Sequence, residues 1–414
     1  MLTSKPAVLI ALLMIIITVM VLVMLVSLSV VPLNHDAALY IQCAQLLSQG
    51  NTPYIDYVEL NPPMVHYLHV VPVIVAKLFG LNLVMTFQFL VVAFIFYSTL
   101  TVFLILNASK TIESVADRIF ILASWLMFSL YVYVSGSFGQ REHLFILGYM
   151  PWFFCRVARY RQRDISTALS IIVGVIAAVV TLLKPHFIIL AVLVEVWMLY
   201  RTRRASALRS PELIAVASVA LMYAMHFLFI PSSMRVAFFS RWLPFIVAHY
   251  HVYNNSLQKV LFLDTPLRAL VPLFFTVIIG ITLVLKNRVS TPQRFFLESL
   301  IISVVAALGI YVWQQKGWYY QLIPSLGMAA MMITMLGLYI TEKWKSSLYV
   351  LGMIFLLAWY PLLYRISTRS SSDVNLQQLV TFIRQQTAHS DRVAFISTNV
   401  YPAYPSLVNA ERLP

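Results

Sequence analysis

The sequence predicts an all-α, polytopic membrane protein with about eleven transmembrane helices. Hydrophobic residues make up 61% of the 414 residues and charged residues only 11%, which is far from the composition of soluble domains. The apolar residues form runs close to the roughly 20 residues that cross a bilayer core. Basic clusters separate several of these runs, as expected where loops join membrane helices.

The first predicted span, 7–33, contains no charged residue. It is longer than the apolar region of a secretory signal and has no small-x-small cleavage site before Asn34, so we expect a retained helix. We divide 165–200 at Lys184 and Pro185, because two basic clusters on one side of the membrane require an even number of crossings between them. The other ten spans are predicted at 82–107, 118–134, 143–156, 165–183, 187–200, 212–230, 267–285, 295–313, 320–340 and 346–364.

Lysine and arginine set the predicted orientation. The positive-inside rule places the N-terminus in the cytoplasm, together with the clusters at 156–163, 201–209, 286–294 and 343–345. The cytoplasmic segments then hold sixteen Lys and Arg, against eight in the outer connections before the tail. We therefore expect a multi-pass protein of the bacterial inner membrane with a periplasmic C-terminus. The net charge of +14 reflects this topology, and no basic soluble face that would bind nucleic acid is visible.

Two regions follow from this layout: a transmembrane domain, 1–364, and a short extracytoplasmic segment, 365–414. The segment begins with serines and then predicts an amphipathic helix around 376–383 and a strand at 392–397, a small α/β-like tail. About fifty residues are marginal for an independent core. The tail therefore either packs on the membrane part or is a shortened version of a larger domain.

The outer connection 34–81 carries the most informative polar residues. Apolar residues at helical spacing predict an interfacial helix over 36–48, with Asp36 near its N-cap. Pro62 and Pro63 predict the start of a second helix, running to Lys77 and lying on the membrane surface or tilted. A carboxylate at the membrane boundary is costly to hold, so Asp36 is a candidate functional group. The alternative is that Asp36 only caps a helix.

Each other outer connection offers a cation or a histidine. Lys and Arg at headgroup level supply charge-assisted hydrogen bonds to a lipid-linked phosphate, and a nearby carboxylate can accept a proton from an attacking hydroxyl. These positions are Arg141, Glu142 and His143 in the second connection, Lys184 and His186 in the third, and Lys316, Trp318 and Tyr319 in the fifth.

Structural alternatives exist for many of these residues. Basic residues of the fourth connection, 231–266, are typical headgroup anchors, and aromatic residues of the fifth fit an interfacial belt. Glu142 either pairs with Arg141 or caps the following helix, and Glu195 is expected to reach the Arg201 cluster. Cys43 and Cys155 fall on opposite sides of the membrane, so no disulfide is expected, and no Cys/His spacing predicts a metal site.

The sequence resembles the GT-C superfamily of membrane glycosyltransferases, which includes protein O-mannosyltransferases and the aminoarabinose transferase of lipid A. An acidic residue directly after the first span and a second after the third span both fit, as does a Lys-Gly-Trp-Tyr-Tyr corner. The first connection resembles the family's G-x-P-Y-x-D…P-P stretch. The residues concerned are Asp36, Tyr40, Gly50, Pro53, Tyr54, Asp56, Asn61, Pro62, Pro63, Glu142, 316–320 and Pro324.

The resemblance implies a hexosyl- or pentosyltransferase that takes a sugar from a polyprenyl-phosphate donor. The acceptor would be a glycan, a lipid or a protein on the periplasmic face. Asp36 would be the catalytic base and Glu142 its partner, with the donor phosphate held by Arg141, Lys184 and Lys316. Possible substrate-binding residues are His35, Asp56, Glu59, His143, His186, Trp318 and Tyr319.

One departure from the family concerns metal. Many relatives carry an Asp-Glu pair where this chain has His35 and Asp36. A lone Asp beside a His is poor support for a divalent cation, so no cofactor is expected. Two other functions stay open: a transporter or lipid flippase, which predicts charged or broken positions in the middle of spans, and a non-enzymatic assembly subunit.

Overall fold

The computed structural model describes residues 33–134, 136–262, 264–286, 291–344, 371–394 and 402–414. These residues fold mainly into α-helices. In chain order they are α1 (His35–Ser48), α2 (Met64–Phe79), α3 (Leu83–Ser109), α4 (Val115–Val134), α5 (Arg141–Tyr160), α6 (Thr167–Thr181), α7 (Phe187–Thr202), α8 (Pro211–His226), α9 (Ser232–Val236), α10 (Leu243–His249), α11 (Leu257–Phe262), α12 (Asp264–Leu285), α13 (Thr291–Gln314), α14 (Ile323–Trp344), α15 (Ser371–Gln386) and α16 (Ala403–Ala410).

Each predicted span from 82–107 to 320–340 coincides with a helix, including the short pair α6 and α7 on either side of Lys184. Within the described ranges, three stretches are long and apolar enough to cross a membrane: Leu83–Ser109, Gln293–Gln314 and Tyr319–Leu338. The first predicted span, of which only Leu33 is described, and the last, 346–364, lie outside the described residues. The count of eleven spans therefore stays a prediction.

The central element is α5, in which every residue except Arg159 is buried. It packs against α3, α4, α6, α7 and α14. Its sequence-based bounds, 143–156, were too short at both ends. The hydropathy pattern stops at the flanking charges, whereas the helix continues because those charges have partners inside the protein.

Close packing of α6 on α8 depends on one small residue. A Cβ added at Gly174 would lie 2.3 Å from the backbone oxygen of Glu212 and 2.8 Å from the Ala215 side chain. Small residues allow such backbone approach between membrane helices, where lipid removes most of the hydrophobic drive for association. We infer that Gly174 sets the spacing that brings Glu212 against α5.

The first connection folds as predicted into two helices, but α1 does not lie exposed on a surface. Eight of its fourteen residues are buried, among them Tyr40, Ile41 and Gln42. It is covered by α2 on one side and by the tail helix α16 on another. The helix predicted from the spacing is confirmed. The face that hydropathy predicts to be exposed is buried because the tail covers it.

The tail packs on the membrane part, one of the two predicted alternatives. The Gln42 side chain donates to the backbone oxygen of Arg412 at 3.1 Å. The strand predicted at 392–397 is wrong for its described part, because residues 392–394 form only a single bridge, between Arg392 and Leu413. Residues 395–397 lie outside the described residues. The tail is thus mainly helical where it is described.

Candidate active site

The connections predicted to be extracytoplasmic meet at one end of the helix bundle, which we call the site end. The Asn34 side chain donates to the Gly136 backbone oxygen at 2.8 Å, joining the first connection to the second. The Trp242 indole donates to the Tyr54 backbone oxygen at 3.0 Å, joining the first to the fourth. Contacts between Asn254 and Gln315, at 3.1 Å, join the fourth to the fifth.

Asp36 lies in the first turn of α1 and does not cap it. The cap is Asn34, whose side-chain oxygen accepts from the Asp36 backbone nitrogen at 2.9 Å. The alternative of Asp36 as a helix cap is therefore wrong, and its carboxylate is available for other contacts. Gln140 donates to it at 3.2 Å and His35 lies 3.4 Å away. The carboxylate is 16% exposed, so it is neither sealed in the core nor free in solvent.

A tight turn aims the second connection at Asp36. Gly139 has a φ of +72°, and a Cβ there would lie 2.5 Å from the Phe87 ring. Both the backbone conformation and the close ring require glycine. The turn places Gln140 against Asn34, at 2.5 Å, and starts α5 at Arg141.

Glu142 binds Lys184 in a buried ion pair that joins α5 to the corner before α7. Both structural alternatives for Glu142 are therefore wrong: it does not pair with Arg141, and it lies inside the first turn of α5 instead of capping the helix. The second Glu142 oxygen is buried and has no hydrogen-bond partner among the described residues. The Lys184 ammonium also lies 5.2 Å from the centre of the Tyr320 ring, which connects this pair to the fifth connection.

Electrostatic interactions indicate that these groups lie near one another. Burial and, to a smaller extent, the Arg141 cation lower the pKa of Lys184 to about 8, against the opposing effect of the Glu142 and Asp36 carboxylates. Burial raises the pKa of the Tyr250 hydroxyl, whose environment also includes the charges of Arg141, Glu142 and Asp36. The four charged groups therefore lie close together, near residues from the two other connections, Tyr250 of the fourth and Tyr320 of the fifth.

Arg141 is buried, but only part of its guanidinium is bound. Its Nη1 donates to the Asn61 side-chain oxygen, and its carbon lies 4.9 Å from the centre of the Tyr40 ring. Its Nε has no partner among the described residues. Glu59 lies behind this contact, where it accepts from the Asn61 backbone nitrogen at 2.9 Å, and burial raises the pKa of Glu59 against the opposing charge of Arg141.

An apolar cleft opens beside the ion pair. It is small, at about 10 Å³, which is room for about one water molecule. Its polar lining groups are Glu142, Gln314 and Gln321, and the rest of the lining is Phe145, Phe187, Leu190, Ala307, Ile310 and Pro324.

The fifth connection lies at the site end, but its residues are mainly bound to protein. The Lys316 ammonium donates to the Tyr250 backbone oxygen at 2.6 Å and to the Asn254 side chain at 2.5 Å. Lys316 also lies 4.0 Å from the centre of the Tyr250 ring. Trp318 stacks on Tyr320 at 5.8 Å, and Tyr319 packs in an apolar cluster around Tyr311.

The remaining predicted substrate-binding residues divide into two groups. His35 and His186 lie next to site charges, since His35 contacts Asp36 and the pKa of His186 is lowered to about 3 by burial and by the Lys184 and Arg141 cations. Asp56 lies in an exposed turn, where it accepts from the Thr52 backbone nitrogen at 2.6 Å. His143 is buried and accepts from the Gly139 backbone nitrogen at 3.2 Å. The structure brings the first group to the site and gives the second local structural contacts.

Across the described ranges, no group of three or more His, Cys, Asp and Glu side chains is placed to hold a metal ion. Cys43 and Cys155 are both free thiols, as predicted.

No protein-family model matches the chain, and no curated protein sequence matches it. Among solved structures, the chain is similar to a crystal structure of ArnT from Cupriavidus metallidurans bound to undecaprenyl phosphate. The TM-score is 0.61 at 13% sequence identity, and the match covers 97% of this chain and 85% of that chain. The chain has the ArnT fold. The predicted resemblance to GT-C membrane glycosyltransferases is confirmed at the level of the fold.

Four uncharged residues shape this site through contacts that were not predicted from the sequence. Gln140 joins Asn34 to Asp36, Asn61 holds Arg141, and Tyr250 and Tyr320 contact the two lysines. Asn61 and Tyr320 belong to the segments that carry the family resemblance, but the resemblance assigned them no partner. Gln140 and Tyr250 gave no signal of their own, because they belong to no charge or motif pattern.

Proposed function

We propose that the protein is a glycosyltransferase that moves a sugar from a polyprenyl-phosphate donor to an acceptor hydroxyl, with Asp36 as the catalytic base. One observation carries the proposal. At the site end, Asp36 forms no ion pair with a Lys or Arg among the described residues, yet it lies close enough to the buried cations Arg141 and Lys184 to raise the pKa of each. A base and a phosphate site are thereby close together but not neutralised by each other.

The chemistry follows from these charges. The acceptor hydroxyl attacks the anomeric carbon of the donor sugar while Asp36 takes the hydroxyl proton. The bond between that carbon and the phosphate oxygen breaks, and its electrons leave with the polyprenyl phosphate. Arg141 and Lys184 stabilise the charge that develops on the leaving phosphate. No general acid is needed, because this leaving group is stable as an anion, and a single displacement inverts the anomeric carbon.

Glu142 supports the lysine in this arrangement. Lys184 is buried, and its pKa of about 8 would be lower without the Glu142 carboxylate beside it. The ion pair therefore keeps the ammonium protonated at neutral pH and fixes its position beside Glu142. Lys316 would contribute to phosphate binding only if it released its present contacts with Tyr250 and Asn254.

The comparison with solved structures also supports a lipid-linked donor, because the structurally similar ArnT is bound to undecaprenyl phosphate. With this function the site end faces the periplasm of a bacterial inner membrane, with the N-terminus in the cytoplasm and the C-terminus in the periplasm. The sugar would be a hexose or a pentose, and the acceptor a glycan, a lipid or a protein.

Two aspartates of the first connection, Asp36 and Asp56, provide the test and its control. Asp36→Asn keeps the size of the side chain and removes the base, so transfer should fall about 10²- to 10⁴-fold. Asp56→Asn is the matched control, because Asp56 lies in the same connection but only binds the exposed turn at Thr52. Purified full-length protein is incubated with a panel of polyprenyl-phosphate sugars and cell-envelope acceptors, and released polyprenyl phosphate is measured by mass spectrometry.

Near wild-type release by folded Asp36→Asn would contradict the assignment of the base. The transporter alternative predicts a different result in proteoliposomes: movement of the lipid-linked sugar across the bilayer without release of polyprenyl phosphate. Movement that is unaffected by Asp36→Asn would favour that function.

A further inference from the structure

Asn61, in the first connection, lies between a hydrogen-bond acceptor and a hydrogen-bond donor. On one side, the two Glu59 oxygens accept from the Asn61 backbone nitrogen, at 2.9 Å, and from its Nδ2. On the other side, Arg141 donates its Nη1 to the Asn61 Oδ1. Asn61 is thus the only link through which the described residues bind the Arg141 guanidinium by a hydrogen bond.

These neighbours fix the orientation of the Asn61 amide. An ionised carboxylate only accepts hydrogen bonds and a guanidinium only donates them. If the amide turned over, its nitrogen would face Arg141 and its oxygen would face Glu59, and both contacts would be lost. The Tyr54 hydroxyl also donates to the Asn61 backbone oxygen at 2.6 Å. Asn61 therefore has one stable arrangement in the folded protein.

A fixed Asn61 determines which edge of Arg141 is free. Asn61 occupies Nη1, and the Tyr40 ring lies 4.9 Å below the guanidinium carbon. Nε is buried and without a partner among the described residues. The edge formed by Nε and Nη2 is one that arginine uses to bind a phosphate through two parallel hydrogen bonds.

We infer that Asn61, held by Glu59, is a positioning residue that presents the free edge of Arg141 to the donor phosphate. This inference rests on the proposed function, because it needs Arg141 to bind that phosphate. Asn61 contacts no reacting atom in this role. An unrestrained arginine side chain loses rotamer entropy when it binds a ligand, and restraint by Asn61 removes part of that cost before the donor arrives.

The experiment measures binding of undecaprenyl phosphate to the full-length protein in lipid nanodiscs. Asn61→Leu retains the size of the side chain and removes both amide contacts, so affinity should fall about tenfold. Arg141→Gln should weaken binding about thirty- to hundredfold, as expected for a lost charged hydrogen bond. Asn51→Leu is the matched control, because Asn51 lies in the same connection and donates only to the Leu46 backbone oxygen, at 3.0 Å. Its affinity should equal that of the wild type.

A double-mutant cycle separates positioning from a general effect on folding. If Asn61 acts through Arg141, the Asn61→Leu/Arg141→Gln protein should bind no more weakly than Arg141→Gln alone. Combined with Lys184→Gln, the Asn61 substitution should still cost its full tenfold. If Asn61→Leu lowered the affinity equally in the Arg141→Gln and the Lys184→Gln backgrounds, the inference would be overturned.

Glu59→Gln provides a second variant in case Asn61→Leu is unstable. It keeps the side chain at 59 but no longer dictates the amide orientation, so we expect about threefold weaker binding that again disappears in the Arg141→Gln background. Full affinity in both Glu59→Gln and Asn61→Leu would also overturn the inference. A different result, in which Arg141→Gln and Lys184→Gln bind normally, would instead reject the phosphate site of the proposed function.

Discussion

Two buried arginines lie at opposite ends of the same helix and have very different surroundings. Arg141 begins α5 at the site end, and Arg156 lies fifteen residues later, about 22 Å along the helix axis. Both side chains are buried. Among the described residues, Arg141 has a single hydrogen-bond partner, Asn61, whereas Arg156 uses all three of its nitrogens.

Arg156 is fully paired. Its Nε donates to Glu195 at 3.0 Å, its Nη1 to Glu212 at 2.8 Å and to Ser210 at 2.6 Å, and its Nη2 to the Ala207 backbone oxygen at 3.0 Å. The sequence-based pairing of Glu195 with the Arg201 cluster is therefore wrong. Arg156 binds α7 and α8 to α5 and has no donor left for a ligand.

The difference teaches how to separate structural from functional charges in this protein. Buried polar groups that serve the fold alone are normally satisfied. Spare donors and acceptors persist at Arg141 and Glu142, at the site end. Unpartnered buried atoms also occur elsewhere in the described residues, for example at Tyr97, Trp152 and Trp197, so incomplete pairing marks the candidate site only where it coincides with buried charges from several connections.

The largest expected effect tests this comparison directly. Arg156→Gln leaves Glu195 and Glu212 buried with too few partners, which should reduce the free energy of unfolding by about 3–5 kcal/mol. Arg141→Gln removes an incompletely paired cation and should change stability by about 1 kcal/mol or less, while weakening donor binding about thirty- to hundredfold. Thermal unfolding in detergent and binding of undecaprenyl phosphate measure the two effects. Equal destabilisation by both substitutions would break the comparison.

A smaller effect concerns the pH dependence of Lys184. Its pKa of about 8 means that the ammonium loses its charge as the pH rises through 8. Donor affinity should then fall by up to tenfold, about 1.4 kcal/mol, for each further pH unit. Lys184→Arg keeps its charge and should remove this dependence.

Deprotonation of Lys184 should change stability in the opposite direction from donor affinity. The folded-state pKa lies below the reference value of 10.5, so the unfolded chain binds more protons between about pH 8 and 10.5. Stability contributed by this group should therefore rise with pH in that window. A fall in affinity that parallels a fall in stability would point to unfolding and would contradict titration of Lys184.

The smallest expected effect compares Arg156 with an exposed arginine that also has a structural ion pair. Arg201 binds Glu298 at 2.9 Å at the same end of the bundle as Arg156, but its side chain is 40% exposed. Arg201→Gln should change the free energy of unfolding by only about 0–1 kcal/mol, because solvent screens exposed ion pairs. A loss as large as that of Arg156→Gln would show that location at this end, and not burial with full pairing, determines stability.

Much of the layout could be predicted from hydropathy and charge. The helices from α3 to α8 and from α12 to α14, the division at Lys184 and the two helices of the first connection each have a local cause in apolar periodicity, charge or proline. The partners of Glu142 and Glu195 could not be predicted, because each binds a residue that is distant in the sequence. Predicting ion-pair partners from charges that are neighbours in the sequence gave the wrong residues.

The sequence alone determined that the chain is a helical membrane protein with polar residues collected in particular connections, since membrane insertion is governed by local apolar length and flanking charge. Only the tertiary structure decided which polar residues meet and which of them remain incompletely paired. Hydrogen bonds and ion pairs form between atoms a few ångströms apart in space, and helix packing alone brings Asp36, Arg141 and Lys184 together from three separate connections.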